Sequence, residues 1–216
     1  MVFGKIEYLN LLPFHVFMKR FTQGSSQKIG MHYNKGVPAQ VNRKFISRRV
    51  DAAFISSIKA RKHENIGLGI IANKEVRSVL IIPDSISEKD KASATSNILA
   101  QVLKLEGKVL IGDKALKYYL SQAPFVDLAQ KWYEQHQLPF VFALLCYHKD
   151  KKLYTKIKKN FLKTPVKIPY YILNEASQKT GIAPKDILEY LKYISYELDK
   201  KAFQGLKKFY AEVDKL

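Results

Sequence analysis

Four times before Lys114, a short apolar run stops on a small polar residue just where a helical pattern begins. The junctions are Asn10, Ser56-Ser57, Thr95-Ser96 and Gly112-Asp113. The first is the sharpest. Gly4-Lys5-Ile6-Glu7-Tyr8-Leu9 reads as a strand and Asn10 as its stop. Leu11-Leu12-Pro13 then opens a helix, with proline in the first turn, where N–H groups lack helical partners in any case. Strands alternating with helices predict an α/β sheet. In open α/β sheets, ligands collect where strand ends meet helix starts. Taken singly, each junction is an ordinary helix cap, its side chain bonding a free backbone N–H. Aimed together into one cleft, the hydroxyls and free N–H groups would cradle a carboxylate or phosphate. Asp113 would repel an anion and is expected to cap its own helix.

The rest of the chain is read in the same terms. Residues 3–8 are expected as a strand, and 11–21 as a helix with Leu11, Phe14, Phe17, Met18 and Phe21 on one side. A polar turn follows over 22–28, containing Gly24, Ser25 and Ser26, then a strand over 29–33. Gly36-Val37-Pro38 opens a helix with Val41, Phe45 and Val50 near helical spacing. Residues 51–55 form a buried strand, 67–72 an apolar run and 76–82 a clear strand. The polar stretch 83–91 is the expected crossing to a second lobe. A helix then carries Ile98, Leu99, Val102, Leu103 and Leu105, closed by Gly107 as a left-handed cap. Residues 108–111 are a strand, 127–136 a helix with Leu128 and Trp132 inward, and 139–147 an apolar strand at the second crossing. Everything after Lys149 reads as helical, with Gly181 ending one helix and Pro184 opening the next. Tyr190, Tyr193, Tyr196, Phe203, Leu206, Phe209 and Tyr210 give this tail an aromatic packing face. Two crossings predict lobe one from residues 1–82 and 148–216, lobe two from 83–147, and a ligand cleft between them that closes by hinge motion.

Composition narrows the function. At 216 residues and 47% hydrophobic, the chain can bury a real core. The single cysteine, Cys146, leaves no internal disulfide and no multi-cysteine zinc site. It lies in an apolar run, where a buried, unreactive thiol is expected. No apolar run reaches membrane-spanning length and no signal peptide is evident, which predicts a soluble cytoplasmic protein. The net charge of +18 raises nucleic-acid binding. Much of that charge, however, sits at helical spacing on late segments, as in Lys149, Lys151, Lys152, Lys156, Lys158, Lys159 and Lys163, and reads as solvated surface. No zinc-finger or RNA-recognition signature accompanies it. His15, His32, His63, His136 and His148 show no metal-ligand spacing, and a surface or packing role is expected for His15. No phosphate-loop, dinucleotide-binding or nucleophile-elbow motif is present. Arg77-Ser78 offers a guanidinium that could fork a carboxylate, or else a surface ion pair.

These pieces, in this order, resemble the chorismate dehydratases of the futalosine route to menaquinone. The matching segments are Gly4 to Asn10 with Pro13, Gly36-Val37-Pro38 with Asn42, Asp51 to Ser57, and Arg77-Ser78-Val79. Ser93 to Ser96, Ile111 to Leu116, Asp127 to Tyr133 and Leu138 to Ala143 complete the set. The resemblance implies a two-lobed, type II periplasmic-binding-protein-like fold with a helical C-terminal tail. The second lobe here would be shortened. It also implies a cytoplasmic lyase needing no cofactor and no metal, with chorismate, a small dicarboxylate, as its partner. That enzyme removes water from chorismate to give 3-[(1-carboxyvinyl)oxy]benzoate. The expected site is Asn10 as the catalytic residue, with Ser56, Ser57, Arg77, Ser78, Thr95 and Ser96 binding substrate. An amide has no useful acid–base pKa, so Asn10 would orient and polarise while a substrate carboxylate takes the proton. Two alternatives stay open. One is a non-catalytic cytoplasmic binding protein for a small carboxylate. The other is the related futalosine-pathway enzyme that forms 1,4-dihydroxy-6-naphthoate.

Overall fold

Short apolar runs separated by helices must pair into sheets and be covered. In the computed structural model, which describes residues 1–24, 30–83 and 87–216, they form two sheets. The chain begins with β1 (Val2–Lys5), a one-turn 3-10 helix (Leu9–Leu11), α1 (Leu12–Gly24), β2 (His32–Lys35), α2 (Pro38–Ile46), β3 (Ala52–Ser56) and the short α3 (Ser57–Ala60). It continues through β4 (Asn65–Ala72), β5 (Val79–Ile82), α4 (Ala94–Val102), β6 (Lys108–Ile111), α5 (Gly112–Leu120), β7 (Val126–Asp127) and α6 (Leu128–His136). It ends with β8 (Phe140–Tyr147), α7 (Lys151–Lys163), α8 (Tyr170–Thr180), α9 (Pro184–Leu191), β9 (Ser195–Glu197) and α10 (Lys200–Val213). The expected turn residues Ser25, Ser26 and Lys28, Ile29 of the expected second strand, and 84–86 of the polar stretch lie outside the described residues.

The larger sheet has the order β2-β1-β3-β8-β4-β9, the smaller β6-β5-β7. β1 pairs in parallel with β2 and β3, which requires helical crossovers, supplied by α1 and α2. β8 enters antiparallel between β3 and β4, running from Tyr147 opposite Ala52 to Ala143 opposite Ser56. All of β8 except Ala143 is buried, and its near-continuous apolar sequence suits a strand paired on both edges and covered on both faces.

Several expectations need correction. β5 pairs with β6 and β7, whereas β8 belongs to the larger sheet. The chain therefore changes sheet at 73–78 and returns at 137–139, one strand earlier in each case than the divisions at 83 and 147. A polar run marks an exposed loop whether or not the chain changes sheet there, and a strand's own pattern does not name its partner. The first crossing is held by Asp127. Its Oδ2 accepts from the N–H groups of Val76 (2.9 Å) and Arg77 (2.7 Å), and its Oδ1 from those of Ala129 (2.9 Å) and Gln130 (3.1 Å). Burial pushes this carboxyl up, against four donors that favour its charge. Gly107 is not the left-handed cap of α4; Lys104, at φ 53°, takes that conformation. Gly107 is bare because a Cβ there would lie 2.3 Å from the Ile82 carbonyl oxygen. The tail is not wholly helical either, since β9 closes one edge of the larger sheet by pairing with β4.

α1 packs into the core through Phe14 and Met18, with the Phe14 ring 5.9 Å from that of Phe3 in β1. His15 adds a polar tie, its Nε2–H donating to the Ile6 carbonyl (2.8 Å), while its buried Nδ1 has no partner. Burial holds this imidazole at about 4, against an ordinary value of 6.5. The neutral ring suits the fold and the charged ring does not, so its contribution is complete above pH 6.5 and is lost as pH falls to about 4. At about 1.4 kcal/mol for each tenfold change in proton affinity, the loss is at most about 3 kcal/mol. His15→Phe should flatten that part of the curve of unfolding free energy against pH, as measured by urea titration. A variant curve parallel to wild type between pH 4 and 7 would remove His15 from the acid response.

Candidate active site

Where the larger sheet faces the smaller one, the strand ends and helix starts converge on a cavity of about 70 Å³. Ile6, Tyr8, Asn10 and Leu11 come from the end of β1 and the 3-10 turn, Pro38 from the start of α2, and Phe54 and Ser56 from β3. Ile70, Phe142 and Ala143 form the floor. Val76, Ser78 and Val79 come from the first crossing and β5, Ser93, Thr95 and Ser96 from the start of α4, and Ile111 and Gly112 from the start of α5. Of the residues expected from the sequence, Asn10, Ser56, Ser78, Thr95 and Ser96 line this cavity; Ser57 and Arg77 do not.

Asn10 is not a side-chain cap. The turn that holds it is capped at Tyr8, with no side-chain bond. The Asn10 carbonyl accepts from the Tyr196 hydroxyl (2.7 Å), and its buried Oδ1 has no partner. Ser56 is gripped by Asn42: the Ser56 N–H donates to Asn42 Oδ1 (3.1 Å) and Asn42 Nδ2 donates to Ser56 Oγ (2.8 Å). Ser78 Oγ accepts from the Tyr190 hydroxyl (2.8 Å). Ser57 is fully buried and shares a hydrogen bond with Thr95 across the cleft (3.2 Å), where Thr95 Oγ1 also accepts from the Ile58 N–H (3.3 Å). The cap of α4 is Ser93, whose Oγ accepts from the Ser96 N–H (3.1 Å).

Arg77 points to a different task. Its backbone is left-handed (φ 62°), and its guanidinium donates to Glu75 Oε1 (3.0 and 2.8 Å) and to the Tyr193 hydroxyl. It stacks 3.5 Å from the Tyr193 ring centre and 5.0 Å from that of Tyr119. With its donors so occupied, it forms an ion pair beside the crossing. Asp113 also departs from expectation. α5 has no side-chain cap, and Asp113 Oδ1 instead accepts from the Leu9 N–H (3.0 Å), joining α5 to the turn that carries Asn10. Burial raises this carboxyl.

The Ser57–Thr95 and Leu9–Asp113 bonds, with an Ala39 N–H to Ala92 carbonyl bond (3.0 Å), draw the two sheets together. Tyr8 and Gly112 complete the seal. Gly112 has φ 67°, and a Cβ there would meet the Tyr8 ring at 2.8 Å. No Asp, Glu, Lys, Arg, His or Cys is among the described residues lining the cavity. Tyr8 is the one titratable group among them, and burial holds its phenol up at about 12. Cys146 is buried away from the cavity, its thiol pushed up by burial to about 12. A larger hollow of about 440 Å³ lies beyond Tyr8, between α1 and α8. There Glu7 is held at about 2, since Lys35, Lys179 and Lys5 outweigh the opposing effect of its partial burial. The smaller cavity is the better candidate, because the hydroxyls and helix starts converge on it.

A family model for menaquinone biosynthesis matches residues 1–108 and 92–215. The chain belongs to that family. It is similar to the chorismate dehydratase of Campylobacter jejuni (strain 81-176), with 47% identity over 213 residues, covering 97% of this chain and 96% of that one. It is also similar to the chorismate dehydratase of Thermus thermophilus, with 24% identity over 262 aligned positions, covering 96% of this chain and 93% of that one. Among solved structures, a protein from Archaeoglobus fulgidus superposes with a TM-score of 0.76 at 14% identity, covering 99% of this chain and 96% of that one. The periplasmic aliphatic sulphonate binding protein of Escherichia coli does so with a TM-score of 0.59 at 10% identity, covering 98% and 86%. The fold is that of the periplasmic binding proteins. No helix among the described residues is long and apolar enough to cross a membrane.

Three features escaped sequence reading. Ser93 stands at cap spacing before Ser96 and could have been chosen from that pattern. Asn42 was marked only as part of a matching segment. The apolar walls and Tyr8 carry no local signal, since only the packing of two sheets brings them together. The Tyr8–Gly112 contact is directly testable. Gly112→Ala adds a methyl at a left-handed backbone and against an aromatic ring, a combined cost of about 1–3 kcal/mol. Tm should fall by roughly 5 °C in scanning calorimetry. Tyr8→Ala in the same chain should restore part of that loss. Strict additivity of the two changes would mean that ring and glycine do not press on one another.

Proposed function

We propose that this chain removes water from chorismate to give 3-[(1-carboxyvinyl)oxy]benzoate, with the reaction taking place in the cavity around Asn10. The observation that carries this reading is the unpartnered acceptor Asn10 Oδ1, set among hydroxyl donors in a cavity with no charged side chain among its described lining residues. Chorismate with both carboxylates ionised has one hydrogen-bond donor, the C4 hydroxyl, and that hydroxyl is the leaving group. Held through its proton by Asn10, the hydroxyl has its C–O bond set in place for departure. The carboxylates suit Ser56, Ser78, Thr95 and Ser96 and the free N–H groups at the start of α4. Ser57 would act on closure, through Thr95. Arg77 would support the crossing.

The C3–H bond breaks, its electron pair enters the ring, the C4–O bond breaks, and the ring becomes aromatic. The proton needs an acceptor, and among the described lining residues no side chain is a carboxylate, imidazole or amine. With a phenol held at about 12, Tyr8 stays protonated. The substrate's enolpyruvyl carboxylate is therefore the base in this reading. It takes the C3 proton and passes it to the departing hydroxide, so that water leaves. Aromatisation drives the reaction, and the protein aligns the groups and excludes solvent. No cofactor is required. The closed cavity is below the roughly 300–1,000 Å³ of typical small-molecule sites, so the sheets must part to admit substrate.

Desalted, chelator-treated protein incubated with chorismate should release the aromatic ether at its full rate. A requirement for an added metal or nucleotide would overturn the cofactor-free reading, and binding without product would favour a carboxylate-binding protein. Asn10→Ala should lower kcat by about 100-fold, the scale of losing one polarising contact. Undiminished turnover would exclude the assignment. Because no lining group titrates near neutrality, kcat should be flat from about pH 6 to about pH 9. An inflection near pH 7 would point to a base on the protein.

A further inference from the structure

Of the four serines among the described residues lining the cavity, Ser56 and Ser78 have hydroxyls held from behind. The Ser56 N–H bond to Asn42 Oδ1 fixes which way the Asn42 amide faces, so the group 2.8 Å from Ser56 Oγ is Nδ2, which can only donate. Ser56 Oγ is thereby an acceptor on its rear side. Ser78 is in the same position for a different reason. Tyr190 is 3% exposed, and its hydroxyl has no partner among the described residues other than Ser78 Oγ. If Ser78 donated to it, the buried phenol proton would have no acceptor, so Tyr190 donates. A serine hydroxyl has one proton. With the rear contact filled by an incoming donor, that proton is left for the cavity. Asn42 and Tyr190 themselves lie outside the cavity wall.

We infer that Asn42 and Tyr190 are positioning residues that set the polarity of Ser56 and Ser78, so that both serines present protons to the cavity and select an ionised carboxylate over its uncharged carboxamide. The cavity is then sorted, with two oriented donors at the serines and the acceptor Oδ1 at Asn10. The inference rests on the dehydratase reading only in taking the selected group to be a carboxylate of the substrate.

The probes are benzoate and benzamide, with binding measured by calorimetry on the full chain. Wild type should bind benzoate at least about tenfold more tightly, because an amide NH2 meets one of two opposing donors. Tyr190→Phe keeps the ring and frees the Ser78 proton to rotate, and the ratio should narrow to about threefold. In chorismate kinetics the same variant should raise KM by about tenfold and lower kcat by less than about threefold, as loss of uniform binding does. Asn42→Asp replaces the rear donor by an acceptor that captures the Ser56 proton, which should shift the preference towards benzamide. In a Ser78→Ala background, Tyr190→Phe should leave the ratio unchanged, an outcome that a merely structural tyrosine would not produce. A wild-type ratio retained in Tyr190→Phe overturns the proposal, as does a wild-type chain that binds neither probe or binds both equally. Turnover is read separately: wild-type protein with the expected ratio but no product would overturn the dehydratase reading alone.

Discussion

The return of the chain as β8 between β3 and β4 is the pairing on which the rest depends. Antiparallel on both sides and buried almost throughout, it joins the parallel first part of the larger sheet to the strands at its far edge. It also brings Phe142 and Ala143 beneath the ends of β1 and β3, giving the cavity an apolar floor. The smaller sheet hangs from two short connections, one clasped by the four-bonded carboxylate of Asp127. Hinge motion needs this arrangement, a stiff sheet on one side and few covalent links to the other. The contacts that close the cleft include a hydroxyl pair and single hydrogen bonds from the Ile58, Leu9 and Ala39 N–H groups, each weak enough to be exchanged for contacts with a ligand.

The electrostatic layout separates two tasks. The chain carries a net charge of +18, yet no charged side chain is among the described residues lining the cavity. A positive exterior draws an anion in from a distance. In the proposed reaction, neutral hydroxyls and helix N-termini would receive it, without a lysine or arginine that would hold the product's carboxylates equally well. Arg77 illustrates the separation, with its guanidinium committed to Glu75 and two tyrosine rings outside the cavity.

Much of this was legible in the residues. The junction at Ser56-Ser57 was readable because an apolar run that ends abruptly in small polar residues marks a strand meeting a helix start, and the Thr95-Ser96 helix start was readable from its own small polar residues. What stayed hidden depended on partners distant in sequence. Local pattern shows only local bonds and so assigns Asp113 to its own helix, whereas its donor is the Leu9 N–H, from the turn that follows β1. The lobe boundaries fell one strand late because loop polarity reports exposure and not pairing. β9 is too short to leave a periodic signal, and it exists because the edge of β4 is open to it. The tail's tyrosines were legible as packing surface but not as donors. A ring buries itself on any apolar face, and only the three-dimensional arrangement says where its hydroxyl ends.

Those hydroxyls carry a consequence for how the molecule comes into being. Tyr190, Tyr196 and Tyr210 reach back to Ser78, Asn10 and Ser57, each spanning more than half of the chain. During synthesis the N-terminal part emerges first and begins to fold while the end is still being made. Every described residue lining the cavity lies before Tyr147, so the wall emerges well ahead of the tyrosines that reach it. A nascent chain ending just after β8 would still have a loose Ser78 and an unsupported Asn10, although Asn42 could already grip Ser56. Full support of the cavity therefore arrives late, with the last helices and their tyrosines.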